Sequence, residues 1–187
     1  GLGLDKILIT GGSGFIGSFL AEKLVGMNKE VRILDNFFRS EKKNLRNFSN
    51  NVEIIKGDIC DKKIVVNAVK DIDTIFHLAA IQGTQNFYRI PHEVLRVNVK
   101  GTLNLMDAIA NSDVKRILFS SSSEVYGKPL YTPTDEKHPI LVPDITNPRY
   151  SYAVSKITGE SICLNYSKLY NIKASIVRYH NVYGPKM

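Results

Sequence analysis

Short apolar runs alternate with longer amphipathic stretches along the 187 residues. Runs near 5–10, 30–35, 52–56, 73–78, 115–120 and 173–179 are rich in Ile, Val, Leu and Phe and have strand length. Stretches near 14–26, 62–69, 92–111 and 149–170 carry the spacing of helices, with a shorter candidate near 41–47. On 92–111 the apolar positions are Val94, Leu95, Val97, Leu103, Leu105, Met106 and Ile109. Asn98 is the odd polar residue among them, and its position alone reads as an exposed helix residue. Strand-helix alternation of this kind predicts an α/β fold, a parallel sheet covered on both faces. The strand order expected is 3-2-1-4-5-6, with a ligand over the carboxyl ends at the switch point.

The turn after the first strand gives that ligand a chemistry. Thr10-Gly11-Gly12-Ser13-Gly14-Phe15-Ile16-Gly17 joins Lys6-Ile7-Leu8-Ile9 to the first helix. Gly11 allows a tight turn, Gly14 lets a pyrophosphate approach the backbone, and Gly17 lets the helix pack close on the strand. The N–H groups at the helix start then face the phosphate charge. A structural turn with no ligand carries similar glycines, so context matters. Val31-Arg32-Ile33-Leu34 ends in Asp35, where a carboxylate accepts from ribose hydroxyls and repels a 2′-phosphate. This favours NAD over NADP; Arg39, four residues on, argues the other way. The pattern is that of a Rossmann-type doubly wound parallel sheet.

Composition narrows the function classes. The length suits one domain with a substantial core, and no run of eighteen apolar residues suggests a membrane span. No secretory pattern precedes the first strand, so a cytoplasmic protein is expected. Cys60 and Cys163 read as free thiols, and the four histidines (77, 92, 138 and 180) have no metal-ligand spacing with them. The net charge of +7 includes a cluster at Arg39, Lys42, Lys43 and Arg46. No aromatic-basic platform accompanies it, so a solvated face or attraction of an anionic ligand is preferred to nucleic-acid binding.

Three further stretches stand where a site would be. Gly57-Asp58-Ile59 closes the third strand; Asp58 is either an acceptor for the adenine amine or a turn or helix-capping residue. His77-Leu78-Ala79-Ala80 closes the fourth, with small residues that let a ring or ribose come close. His77 itself reads as a packed strand-end histidine. The polar and aromatic segment 81–90, with Gln82, Gln85, Asn86 and Tyr88, sits where a substrate loop would sit. The proline-bearing loop 126–147 ends in Asn147-Pro148, an N-cap followed by proline.

The chemistry is concentrated near the fifth strand. Ile117-Leu118-Phe119 runs into four serines, 120–123, followed by Glu124. That serine run reads either as a solvated turn or as a source of hydroxyls for a substrate. Tyr152 and Lys156 share a helix face at i and i+4. An ammonium beside a phenol would lower its pKa from about 10 and make it a usable base. A serine hydroxyl on the adjacent strand could steady the transferred proton.

These residues resemble those of the extended short-chain dehydrogenase/reductases, in the NAD-dependent sugar-nucleotide epimerase/dehydratase group. The matching pieces are the glycine turn, Asp35-Asn36, Gly57-Asp58-Ile59, His77-Leu78-Ala79-Ala80, Asn98, the segment 120–127, Tyr152 with Lys156, and Arg178-Tyr179-His180-Asn181-Val182-Tyr183-Gly184-Pro185. The resemblance implies that NAD is held by Gly11, Gly14, Phe15, Ile16, Gly17, Asp35, Asn36, Asp58, Ile59, Leu78, Ala79, Ala80, Ser120, Tyr152, Lys156, Tyr179 and Val182. Asn98 joins them as a supporting helix residue. It implies Tyr152 as base, Lys156 as its partner, and Ser122 and Glu124 as catalytic residues. A nucleotide-diphosphate sugar would meet Gln82, Ser122, Ser123, Glu124, Tyr152 and Asn181.

The implied first step is oxidation of the sugar 4-hydroxyl, with Tyr152 taking the proton and NAD the hydride. Epimerases return the hydride to the other face; dehydratases eliminate water; decarboxylases release carbon dioxide. Similar dehydratases carry Thr-Asp-Glu where this chain has Ser122-Ser123-Glu124. Loss of the aspartate weakens a 4,6-dehydratase reading and leaves epimerisation and UDP-glucuronate decarboxylation open. His180 and Lys186 replace residues common in the family. The resemblance also implies that 1–187 is a truncated NAD-binding domain, with a substrate lobe beyond 187 and a homodimer through the helices 92–111 and 149–170. A non-catalytic NAD-binding sensor is the reading from another class.

Overall fold

The computed structural model describes residues 5–12, 14–36, 52–126, 130 and 135–179. The candidate helix at 41–47, the basic cluster at Arg39, Lys42, Lys43 and Arg46, and His180, Asn181, Val182 and Lys186 lie outside the described residues.

The first strand, β1 (Lys6–Thr10), leads through the glycine turn into α1 (Phe15–Gly26). Then come β2 (Glu30–Asp35), β3 (Val52–Lys56), α2 (Lys62–Ala68) and β4 (Thr74–His77). They are followed by α3 (Thr84–Arg89), α4 (Pro91–Leu95) and α5 (Gly101–Ile109). The last elements are β5 (Arg116–Ser122), α6 (Ser151–Tyr170) and β6 (Lys173–Tyr179). The six strands form one parallel sheet in the order β3-β2-β1-β4-β5-β6. The chain leaves β1 toward β2 and β3 and returns to β4 on the other side, so the switch point lies between β1 and β4.

Period two divides the core. Leu8 and Leu34 belong to the layer under α5 and α6, with Ile75, Ile117, Phe119, Leu105, Met106 and Cys163. Their neighbours Ile7, Ile9, Val31 and Ile33 pack on the opposite face against Ala21 and Leu24 of α1. Asn171 ends α6 in the left-handed conformation (φ 56°, ψ 46°), a geometry asparagine tolerates. The carboxamide of Asn147 accepts from the Arg149 N–H at 3.0 Å, opening a short 3-10 turn (Pro148–Tyr150) ahead of α6.

Three features depart from expectation. The segment 81–90 contains α3, whose single buried side chain is Phe87 at 3% exposure; six residues are too few to display a period. The strand β5 runs on to Ser122, because Ser121 and Ser122 stand beside Arg178 and Tyr179 of β6. The serine run is therefore no solvated turn, and Ser121 and Ser122 are buried. The long helix at 91–109 is interrupted between α4 and α5 by a π turn (Arg96–Lys100) that buries Asn98.

Gly17 illustrates how tightly the first turn is built. A Cβ there would lie 2.5 Å from the Gly11 carbonyl oxygen and 2.6 Å from the Gly12 Cα. Backbone cannot give way as a side chain can, so Gly17→Ala should lose about 1–3 kcal/mol to overpacking, against about 1 kcal/mol gained in helix propensity. The urea midpoint is expected to fall; an unchanged or raised midpoint would contradict this packing.

Candidate active site

The cofactor cradle is made of backbone. Gly11 adopts φ +73°, and its N–H donates to the Leu34 carbonyl at 2.8 Å. A Cβ on Gly11 would lie 2.9 Å from both Cα and N of Ala79, so the β1 and β4 turns touch through their main chains. Gly14 is the N-cap of α1 and has no side chain to occupy the first-turn N–H groups, which leaves them suited to an anion. Between these turns lies a cavity of about 140 Å³. Gly11, Gly14, Asp35 and Asn36 line one part; Gly57 and Ile59 line another; Leu78, Ala79, Ala80, Ile81 and Gln82 close it. Phe15 and Ile16 stand exposed on the first turn of α1.

Asp58 makes the contacts of a turn residue. One carboxylate oxygen accepts from the Cys60 N–H at 2.8 Å, and the other lies 3.7 Å from the Arg96 guanidinium. The helix-capping role falls to Asp61, which accepts from the Lys63 N–H at 3.0 Å. Neighbours Gly57 and Ile59 reach the cavity wall; Asp58 is not among its lining residues.

The tyrosine sits in a dry environment. Tyr152 is 5% exposed and its ring stacks on Phe87, with centres 4.9 Å apart and planes 14° apart. Burial, and then the charge of Glu124, push its phenol above the ordinary value near 10, while a hydrogen bond with Ser122 pulls it down. Ser122 also accepts from the Glu124 N–H at 3.1 Å. Lys156 donates from Nζ to the Ser120 carbonyl at 2.8 Å and lies 5.6 Å from the Tyr152 ring centre. Burial lowers its ammonium to about 8. The expectation that the ammonium holds the phenol below 10 is corrected here: desolvation acts on both groups and disfavours both charges. The chain alone therefore keeps Tyr152 protonated at neutral pH.

Asn98, an exposed residue by position alone and a supporting helix residue by resemblance, is a buried brace. Its Oδ1 accepts from the Ile81 N–H at 2.8 Å, and its Nδ2 donates to the Ile81 carbonyl at 3.2 Å and Ser155 Oγ at 3.0 Å. Ser155 in turn donates to the Tyr152 carbonyl at 2.7 Å. Both ends of the carboxamide are thus occupied by protein, so Asn98 supports the cavity wall at Ile81 and the helix under Tyr152 rather than offering itself to a ligand. Ser120 contributes its carbonyl to Lys156. Tyr179 ends β6 partly exposed, and Ser123 and Glu124 form a short 3-10 turn beyond β5.

Two groups escaped the sequence reading. Phe87, the wall against Tyr152, lay in a segment read for its polar residues. Glu160, one helical turn beyond Lys156, accepts from Arg178 through two nitrogens at 2.8 and 3.1 Å and from Ser121 Oγ at 2.6 Å. Arg178 also donates to the Tyr126 hydroxyl at 3.0 Å. The i, i+4 spacing of Lys156 and Glu160 was the available signal.

A glycine-built cleft at the switch point, with a Ser-Tyr-Lys group at the end of β5 and on α6, defines a dinucleotide-binding α/β protein of the short-chain dehydrogenase/reductase type. The profile of the NAD dependent epimerase/dehydratase family matches residues 7–187, and the chain belongs to that family. A UDP-N-acetyl-alpha-D-glucosaminuronate decarboxylase of Bacillus cytotoxicus is 40% identical over 97% of this chain and 56% of its own length. The UDP-N-acetylglucosamine 4-epimerase of Methanobrevibacter ruminantium, solved with UDP-N-acetylmuramic acid, superposes with a TM-score of 0.86 at 32% identity, covering 98% of this chain and 57% of its own. The UDP-glucose 4-epimerase of Thermus thermophilus, solved with NAD, gives 0.84 at 31% identity, covering 97% and 57%. The chain spans about half the length of the curated relatives it matches. The cradle fits the family's NAD: the positive φ at Gly11, the absent Cβ at Gly17 and the Asp35 carboxylate at the cavity wall are what a dinucleotide needs. Among the described residues no helix is long and apolar enough to cross a membrane, and no three His, Cys, Asp or Glu cluster as metal ligands.

The buried ammonium has a stability signature. Unfolded, Lys156 binds its proton up to its ordinary value near 10.5, but folded only up to about 8. Between those values the unfolded chain holds more protons, so this residue's contribution to stability rises with pH through that window. Its cost below pH 8 is on the order of 3 kcal/mol, offset by about 1–2 kcal/mol from the hydrogen bond to Ser120. Lys156→Met should therefore raise the urea midpoint at pH 7, with the advantage shrinking toward pH 10.5. A lower midpoint at pH 7 would refute it.

Proposed function

We propose that this chain is the NAD-binding part of a sugar-nucleotide 4-epimerase, with the sugar-holding lobe contributed by residues beyond 187. The observation that supports the reading is the placing of Lys156 Nζ 5.6 Å from the centre of the Tyr152 ring, on a helix braced through Ser155 and Asn98 to the cavity wall at Ile81. Bound NAD supplies the hydride acceptor and donor. Tyr152 accepts the proton of the sugar 4-hydroxyl, and Ser122 holds that oxygen in line. Lys156 keeps positive charge under the phenol as it ionises. The glycine turn and the first turn of α1 grip the cofactor diphosphate, and Asp35 takes the adenosine ribose. The resemblance assigns the diphosphate contact to Asn181 and the nicotinamide lining to the segment 179–182, of which 180–182 lie outside the described residues. Exposed Leu95 and Leu164 on the long helices suit a two-fold dimer.

Decarboxylation of a UDP-uronate is the second reading, favoured by the 40% identical relative that is named as such a decarboxylase. Ser123, where dehydratases carry an aspartate, argues against a 4,6-dehydratase.

The test is turnover of UDP-sugars by the full-length protein, followed by chromatography of the nucleotide sugar. Tyr152→Phe should lower kcat about 100-fold or more while NAD affinity changes less than about threefold. Persisting turnover would remove Tyr152 as the base. A pentose product with carbon dioxide from UDP-glucuronate would select decarboxylation. Tight NAD binding with no turnover of any UDP-sugar would select the sensor.

A further inference from the structure

Directly behind the cavity, polar groups are buried with no role in the chemistry above. Thr10, His77 and Thr102 are each at most 2% exposed. They lie end to end: Thr10 Oγ1 is 2.6 Å from His77 Nδ1, and His77 Nε2 is 2.8 Å from Thr102 Oγ1. The direction of every proton follows from the neighbours. Thr10 Oγ1 accepts from the Ala79 N–H at 3.1 Å and, at 3.1 Å, from the Leu78 N–H, which it shares with its own carbonyl. A hydroxyl has two acceptor positions and one proton. With both positions used, Thr10 can meet His77 only as a donor, so Nδ1 carries no proton. Nε2 therefore carries it and donates to Thr102. Thr102 passes its own proton to the Asn98 carbonyl at 2.8 Å, inside the π turn.

We infer that His77 is a positioning residue of the active site, held as the neutral Nε2–H tautomer, and that it ties the cofactor cradle to the helix carrying Tyr152. On one side the chain ends at Thr10 and Ala79, whose main chain abuts Gly11 and closes the cavity. On the other it ends at Asn98, whose carboxamide holds Ile81 and Ser155, and Ser155 holds the Tyr152 carbonyl. The cavity wall and the helix of the proposed base are thus joined by hydrogen bonds that run with one polarity from Thr10 to the Asn98 carbonyl and are continued by the Asn98 carboxamide. Burial and the nearby Lys156 ammonium push the imidazole down to about 3, so the ring stays neutral in ordinary buffers. Nδ1 protonation would bring an N–H against an oxygen with no acceptor position left.

The inference rests on the enzymatic reading only for its effect on rate; the tautomer stands apart from it. Long-range proton–nitrogen NMR of the isotopically labelled full-length protein, with His77 assigned by loss of its signals in His77→Gln, should show Nε2–H alone, unchanged from pH 8 to pH 5. An Nδ1–H or imidazolium signal in that range would overturn the inference whatever the activity. For the effect on rate, Thr102→Val keeps the shape and removes the hydroxyl, whereas Thr102→Ser keeps the hydroxyl. Thr102→Val should lower kcat about tenfold with substrate KM within about twofold, and Thr102→Ser should restore most of the loss. Unchanged kcat in a folded Thr102→Val protein would make the chain merely structural and overturn the positioning role. Active Tyr152→Phe would instead break the enzymatic reading and leave the tautomer result intact.

Discussion

The constraint on which the site depends is the approach of main chain to main chain at the switch point. Gly11 meets Ala79, and Gly17 meets Gly11 and Gly12, at distances that leave no room for a Cβ. The lack of side chains in the β1 turn, close against the β4 turn, leaves N–H groups and a narrow slot at the carboxyl ends of β1 and β4. Everything else is placed by reference to that slot: β2 carries Asp35 to its rim, and α5 and α6 cover the sheet beyond it.

Around the slot the chain buries charge that a stability optimum would leave in water. Lys156 sits on the Phe119 ring 5.0 Å from its centre and donates to the Ser120 carbonyl. Glu160 and Arg178 solve the same problem differently, as a two-pronged pair with Ser121 and Tyr126 closing the remaining valences. The paired site fixes β5, β6 and α6 together. The unpaired site stores an unfavourable ammonium where a proton must move, a cost that packing elsewhere offsets.

Much of the sheet was legible, because six apolar runs separated by amphipathic stretches admit few topologies. The glycine turn and the Tyr152–Lys156 spacing could be read for the same reason: their meaning is local, set by neighbours within a turn. What could not be read depends on partners far away in the chain. Ser121 and Ser122 looked like a turn until β6 supplied their neighbours. Asn98 looked exposed because a π turn, invisible to a 3.6-residue period, rotates it inward to Ile81 and Ser155. The phenol and ammonium at 152 and 156 were read as a charge pair, since sequence shows spacing but not the dryness that outweighs it.

That π turn has a consequence for how the chain tolerates change. An ordinary helix advances about 100° per residue, and the wide turn at 96–100 accommodates one residue more than ordinary winding allows. Deleting a single residue there would restore regular winding. The later side chains would keep their phase, Thr102 on His77 and Asn104 on the Ile59 carbonyl, while the residues of the wide turn, Asn98 among them, would lose their present aim. The extra residue thus sets the direction of one carboxamide and leaves the helix beyond it undisturbed.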